Sequence, residues 1–259
     1  MYHYNIFAVV LSLFVFISLV QDVMADPASI NNYILKKNYG EMQVAQATVD
    51  EKDIEEQELS TKAAIVMENL MLEPPDKQIP ASLLEKASCI GIFPSVTKAG
   101  LIVTGQHGRG LLSCRHDKTK KWGAPAFFTV SGASFGVQAG YKTADVVLLV
   151  MDPKGVDALL SGAMTIGSGN VSASSGSLGN GTDIASMRAS IITYARPDKG
   201  LFAGADLQGT SIAYDGKKNE KVYGAIVGSY ETLYKTETIP TTVKDFHDML
   251  AKFAPRPRR

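Results

Sequence analysis

Residues 126–151 read AFFTVSGASFGVQAGYKTADVVLLVM. Ala126–Val130 and Val146–Met151 are short runs of aromatic and branched apolar residues, and Ser134–Tyr141 carries Gly136 and Gly140. No 3.6-residue period runs through the stretch, so it reads as three strands rather than a helix. Glycine at this density weakens helices and lets backbones approach closely. Of the 23 glycines, 22 fall between Gly91 and Gly228. The middle of the chain is therefore predicted to be a β-rich body. The fold class is α+β: a glycine-rich antiparallel β-sheet or barrel-like body flanked by N- and C-terminal helices.

Toward the N-terminus, Cys89–Phe93 reads as a strand. Leu101–His107 and Leu111–Arg115 flank Gly108-Arg109-Gly110, which reads as a hairpin turn. Lys118 to Lys121 is a basic turn ahead of Trp122. Pro80 opens a short helix through Ala87. Leu59, Ala63, Val66 and Leu70 share one helical face, and Pro74-Pro75 ends that helix. Toward the C-terminus, Asp152-Pro153 has the form of an N-cap with proline at the first helical position, and Gly162 stops the helix. Residues 165–182 are rich in Gly, Ser and Asn and suit either a loop or strands with small side chains. Ser190–Ala195, Leu201–Asp206 and Thr210–Tyr214 complete the β set. Val243, Phe246, Leu250 and Phe253 space a final amphipathic helix.

Lys plus Arg and Asp plus Glu each number 26, so the net charge is zero, and a general nucleic-acid binder is not indicated. Ile6 to Val20 is an apolar run broken only by Ser12 and Ser18, and Val23-Met24-Ala25 offers a signal-peptidase site. No Lys or Arg precedes that run, and a retained anchor is the rival reading, although a spanning helix needs ~20 residues. The expected organisation is a signal peptide over 1–25, an acidic linker or helix lead-in over 26–57, one domain over 58–253, and a basic tail over 254–259. Export implies the periplasm or the extracellular space. In an oxidising compartment Cys89 and Cys114 can pair, with two buried free thiols as the alternative.

Gly132-Ala133-Ser134-Phe135-Gly136 matches the G-x-S-x-G of a nucleophile elbow, which requires a strand, a sharp turn and a helix. Here Ser134 leads into further strand sequence, so no catalytic residue is assigned. Cys89, His107, Cys114 and His116 lie within one short segment. With a hairpin at Gly108–Gly110, His107 pairs near Leu111 and His116 near Ile102, ~17 Å apart along the strand. Zinc ligands must converge to ~2 Å, so no metal site is assigned. No phosphate-loop or dinucleotide fingerprint is present, and no cofactor is expected. Lys118, Lys120, Lys121 and Trp122 form a basic-aromatic cluster of the type that sits at an anionic headgroup layer. Arg196 and Lys199 are further candidate lipid contacts.

The segments Asp76-Lys77-Gln78-Ile79-Pro80, Ile92-Phe93-Pro94-Ser95-Val96, Lys98-Ala99-Gly100 and Trp122-Gly123-Ala124-Pro125 occur in order. Gly132 to Gly140, Val156-Asp157-Ala158-Leu159-Leu160-Ser161-Gly162, Tyr194-Ala195-Arg196 and Lys199 to Gly204 follow. In that order and spacing the chain resembles the SYLF domain family over roughly residues 60–235. The resemblance implies a non-enzymatic domain. Eukaryotic members, often joined to a Src-homology-3 or FYVE module, bind phosphoinositide membranes, and some bundle actin. Bacterial members are exported single domains, some of them lipid-anchored. Two departures stand out: the helix ahead of Asp76 is acidic to neutral rather than lysine-rich, and no anchor cysteine follows the leader.

The expected function is thus exported, non-catalytic binding of phospholipid at an anionic membrane surface. The alternative is a structural or protein-interaction module of the cell envelope. Actin is a partner only on delivery into a host cytosol.

Overall fold

The computed structural model describes residues 53–100, 103–135, 140–166, 172–175, 189–199, 209–224 and 227–255. Residues 1–25, the lead-in up to residue 52 and Arg256–Arg259 lie outside these, as does the strand read over Leu201–Asp206.

Helix α1 (Ile54–Leu72) buries Ala63, Val66, Met67 and Leu70 along one face. Glu73 turns extended at its end, as a residue before proline must, and Pro74-Pro75 prevents continuation. Pro80 caps the short α2 (Ala81–Lys86). Four long strands follow: β1 (Cys89–Gly100), β2 (Val103–Cys114), β3 (Ala126–Phe135) and β4 (Gly140–Val150). In α3 (Pro153–Leu160) the Asp152 side chain accepts from the Gly155 amide at 2.9 Å, with Pro153 in the first turn. The remaining elements are β5 (Ala163–Thr165), β6 (Ala173–Ser175), β7 (Ile191–Lys199), β8 (Ser211–Tyr214) and α4 (Gly216–Tyr223). A π-helical turn (Glu231–Lys235), a 3-10 turn (Thr241–Val243) and α5 (Lys244–Phe253) close the described chain.

The eight strands form one sheet in the order β5-β8-β3-β2-β1-β4-β7-β6. Every pair is antiparallel except β6–β7, so the α+β class holds, with helices contributed from both flanks.

Two strand boundaries differ from the sequence reading. Gly108-Arg109-Gly110 is not a turn. It lies inside β2, paired with Val130, Thr129 and Phe128 of β3. Instead β1 runs to Gly100 and β2 starts at Val103. The glycines serve close approach. A Cβ on Gly110 would sit 2.1 Å from the Ile92 carbonyl oxygen, and one on Gly108 would sit 2.7 Å from a Val96 methyl. These are the flanks of the bulge in β1, where its register against β2 shifts between Ile92 and Thr97. Likewise Ala126–Val130 and the start of Ser134–Tyr141 belong to one continuous β3, and β4 begins at Gly140.

Both faces of the sheet are covered, which is why its strands read as unbroken apolar runs. Ile90, Ile92, Leu111, Phe127, Val147 and Leu149 face a first core with α1, α2 and α5. Their neighbours Cys89, Phe93, Leu112, Phe128, Val146 and Leu148 face a second core, closed by Leu159 of α3 and Leu233 of the π turn. Alternation therefore persists, but both sides of it are apolar. Helix α4 docks on β3 through fully buried Asn219, whose amide group donates to and accepts from the Phe127 backbone at 2.9 Å each way.

Candidate functional site

At the end of β2 the chain forms an isolated antiparallel bridge between Arg115 and Trp122, enclosing residues 116–121 as a turn. The turn is held by His116 N–H to Lys121 O at 3.0 Å and Lys120 N–H to His116 O at 2.8 Å. Lys120 takes a positive φ of 53° to close it. The three lysines of the turn, Lys118, Lys120 and Lys121, are exposed, and among the described residues no carboxylate pairs with any of them.

Trp122 does not join them at the surface. It is 7% exposed, and its indole N–H donates to the Ala254 carbonyl at 2.9 Å. The Arg115 guanidinium stacks 3.9 Å from its ring. The candidate headgroup contact at Trp122 is therefore corrected: packing against the end of α5 takes the aromatic side chain inward.

Arg115 itself had no signal in the sequence beyond its place as the last residue of the strand read over Leu111–Arg115. It is buried, and its guanidinium donates to the carbonyls of Leu84, Ala87, Lys120, Ala254 and Pro255 at 2.8–3.4 Å. Its partners are carbonyl dipoles, two of them at the negative end of α5, and among the described residues no carboxylate forms an ion pair with it. Burial lowers its pKa to about 10, with the Glu85 charge working in the opposite direction.

Beside the turn lies an open groove of about 450 Å³ between α2, the basic turn, α3 and the π turn. Its cations are Lys86, Arg115 and Lys120, and its acids Glu85, Asp117 and Asp157. Val156 and Leu160 give it an apolar side. Tyr230 and Tyr234 stack at 5.5 Å and form a wall, with His116 edge-on to Tyr234 at 6.1 Å. Burial raises the Tyr234 pKa to about 12, so its hydroxyl stays protonated and able to donate. The arrangement provides a mixed-charge, aromatic-walled surface for binding.

The other candidate residues lie elsewhere. Arg196 is in β7, half-buried, and forms an ion pair with Glu73 at 3.5 Å. Lys199 ends β7 opposite Thr143, and its side chain lies outside the described residues. Neither strand position adjoins the basic turn in the register of the sheet. Cys89 and Cys114 are directly opposite on β1 and β2 and form a disulfide. Ser134 pairs with Thr104 within β3, so its motif occupies a strand and not a strand-to-helix elbow. Among the described residues no cluster of His, Cys, Asp or Glu is placed to hold a metal.

Comparison with known proteins places these features. Residues 131–253 match the family model described as Ysc84, Las17-binding protein actin regulator. The chain is 33% identical over 183 residues to SH3 domain-containing YSC84-like protein 1 of Bos taurus, covering 69% of this chain and 52% of that protein. The corresponding Homo sapiens protein is 32% identical over the same length. LAS seventeen-binding protein 3 of Saccharomyces cerevisiae is 32% identical over 155 residues, 58% of this chain and 33% of that protein. The chain thus spans about half the length, or less, of these relatives.

Proposed function

Because this chain belongs to the SYLF (Ysc84) domain family, we propose that it is a non-catalytic binding module whose basic turn engages anionic phospholipid surfaces. The observation that carries the reading is the set of three exposed lysines on one tight turn, Lys118, Lys120 and Lys121, with no carboxylate paired to them among the described residues. Each basic residue close to an anionic surface contributes about 1 kcal/mol of attraction. Three on a rigid turn are therefore worth ~3 kcal/mol, or on the order of a hundredfold in affinity. No helix among the described residues is long and apolar enough to cross a membrane, and the reading requires only surface attachment.

Export belongs to the same proposal. The apolar run Ile6–Val20 supports it, and so does the Cys89–Cys114 disulfide, since such bonds persist in oxidising compartments.

The test is co-sedimentation of the purified chain with vesicles of phosphatidylcholine alone or with phosphatidylserine, at low and high salt. Binding to the anionic vesicles only, weakened by salt and reduced about a hundredfold by the triple Lys118→Gln, Lys120→Gln, Lys121→Gln variant, is the expected result. Absence of binding to both vesicles, or binding that the triple variant retains, overturns it.

A second reading is favoured by a different observation. The matched family description and a relative's name include Las17-binding, and tyrosine, here Tyr230 stacked on Tyr234, is enriched in protein-docking surfaces. In that reading the groove takes a protein segment. Crosslinking that depends on Tyr230 and Tyr234, without vesicle binding, distinguishes it.

A further inference from the structure

Three charged side chains among the described residues are buried: Glu56, Arg115 and Lys98. Glu56 is met by two lysines and Arg115 by five carbonyls. Lys98, 7% exposed, has no such partner among the described residues. Directly opposite it in the β1–β4 ladder stands a second lysine, Lys142, also without a carboxylate among the described residues. The neighbouring pair in that ladder, Val96 and Ala144, belongs to the second core. The two-residue alternation of a strand puts both lysines on that same face. Facing residues in an antiparallel pair hold their Cβ atoms ~5 Å apart, and like charges so placed repel. The row continues across the sheet: Gln106 is opposite Lys98 on β2, and Gly132 is opposite Gln106 on β3. The Gln106 amide donates to the Thr210 hydroxyl, which fixes that side of the row, and Gly132 adds no side chain to it. Two lysines thus face each other across β1 and β4, with no carboxylate paired to either among the described residues, next to an apolar bed formed by Val96, Val130 and Ala144.

The geometry points to an anion site at Lys98 and Lys142 that takes a phosphate monoester. Two lysines are balanced by two negative charges on one group. A phosphate monoester carries about −1.5 to −2 at neutral pH and several acceptor oxygens, whereas a carboxylate brings one charge. The site is separate from the basic turn. Gln106 lies eight residues before Cys114 on β2, or roughly 26 Å at the rise of an extended strand. The phosphate can come from solution or from a lipid headgroup.

Titration calorimetry on the full chain decides it, with inorganic phosphate and soluble dioctanoyl phosphatidic acid as separate ligands. Saturable binding of at least one is expected, weakened more than tenfold by Lys142→Gln and by Lys98→Met. Equal affinity for both identifies free phosphate as the source, and tighter binding of the lipid identifies the headgroup. In either case thermal unfolding of Lys98→Met and Lys142→Gln without ligand shows that both variants fold, so a lost affinity is read as loss of the site. The triple variant of the basic turn leaves this binding unchanged, so the two sites fail independently. Absence of binding by the wild-type chain, or full affinity in Lys98→Met and Lys142→Gln, overturns the site.

Discussion

Arg115 gathers five carbonyls from three separate segments: Leu84 and Ala87 at α2, Lys120 in the basic turn, and Ala254 and Pro255 after α5. A planar guanidinium can serve that many acceptors at once, and an ammonium cannot. Arg115→Lys is therefore expected to lose about 2–4 kcal/mol in urea unfolding, through carbonyls left buried and unpaired. A loss below ~1 kcal/mol would show that water replaces the guanidinium without cost. Gly110 is a second single-residue constraint. A Cβ there meets the Ile92 oxygen at 2.1 Å and the Phe93 ring at 2.7 Å, and backbone cannot retreat as a flexible side chain can. Gly110→Ala is expected to cost about 3 kcal/mol by the same measurement, while Gly105→Ala, with nothing within 4 Å, stays within ~1 kcal/mol. The paired cysteines and the basic turn were legible at this scale because residue type and neighbours in sequence suffice to suggest them. Trp122 was not: its burial is set by Ala254, more than a hundred residues away.

At the scale of elements, the helices were legible and the long strands only in part. An apolar face at helical spacing and proline punctuation located α1, α3 and α5. The G-R-G of β2 resembled a turn because close approach and chain reversal call for the same residue, and only the bulge in β1 distinguishes the two uses. The groove was illegible for a related reason: its walls come from α2, α3 and the π turn, which are distant in sequence. One junction between elements carries a pH dependence. The Glu56 carboxylate on the first turn of α1 is 1% exposed and accepts from Lys218 at 2.7 Å and Lys221 at 2.5 Å, both on α4. Burial pushes its pKa upward, but the two lysine hydrogen bonds outweigh burial, so it falls below its ordinary 4.5. A carboxyl with a depressed folded pKa stabilises above the unfolded pKa and loses that contribution as pH drops through the folded one. The α1–α4 junction is thus fully held near neutrality and weakens below about pH 4.5. Glu56→Gln is expected to lower stability at pH 7 by about 2 kcal/mol and to flatten the acid limb of the stability profile. An unchanged acid limb in Glu56→Gln would assign it to other carboxylates.

For the whole molecule, the decisive feature is that β1 to β4 supply both cores. Ile90 and Ile92 serve one, while Cys89 and Phe93 on the same strand serve the other. Neither face can lose its covering without exposing strands that the other depends on, so the described body should unfold as one unit. The disulfide joins β1 to β2 within the second core, whereas Trp122, the single tryptophan, reports on the first. Reduction therefore perturbs one face and can be watched from the other. With its cysteines 25 residues apart, the cross-link is worth roughly 3 kcal/mol through the unfolded chain. At about 2–4 °C per kcal/mol for a domain of this size, reduction lowers the thermal midpoint by roughly 6–12 °C. Trp122 fluorescence and far-ultraviolet circular dichroism should shift together by that amount and remain superimposable. A tryptophan transition that stays in place while the dichroism moves would mean that the helical face holds independently of the sheet's other side, and the shared-strand argument would fail.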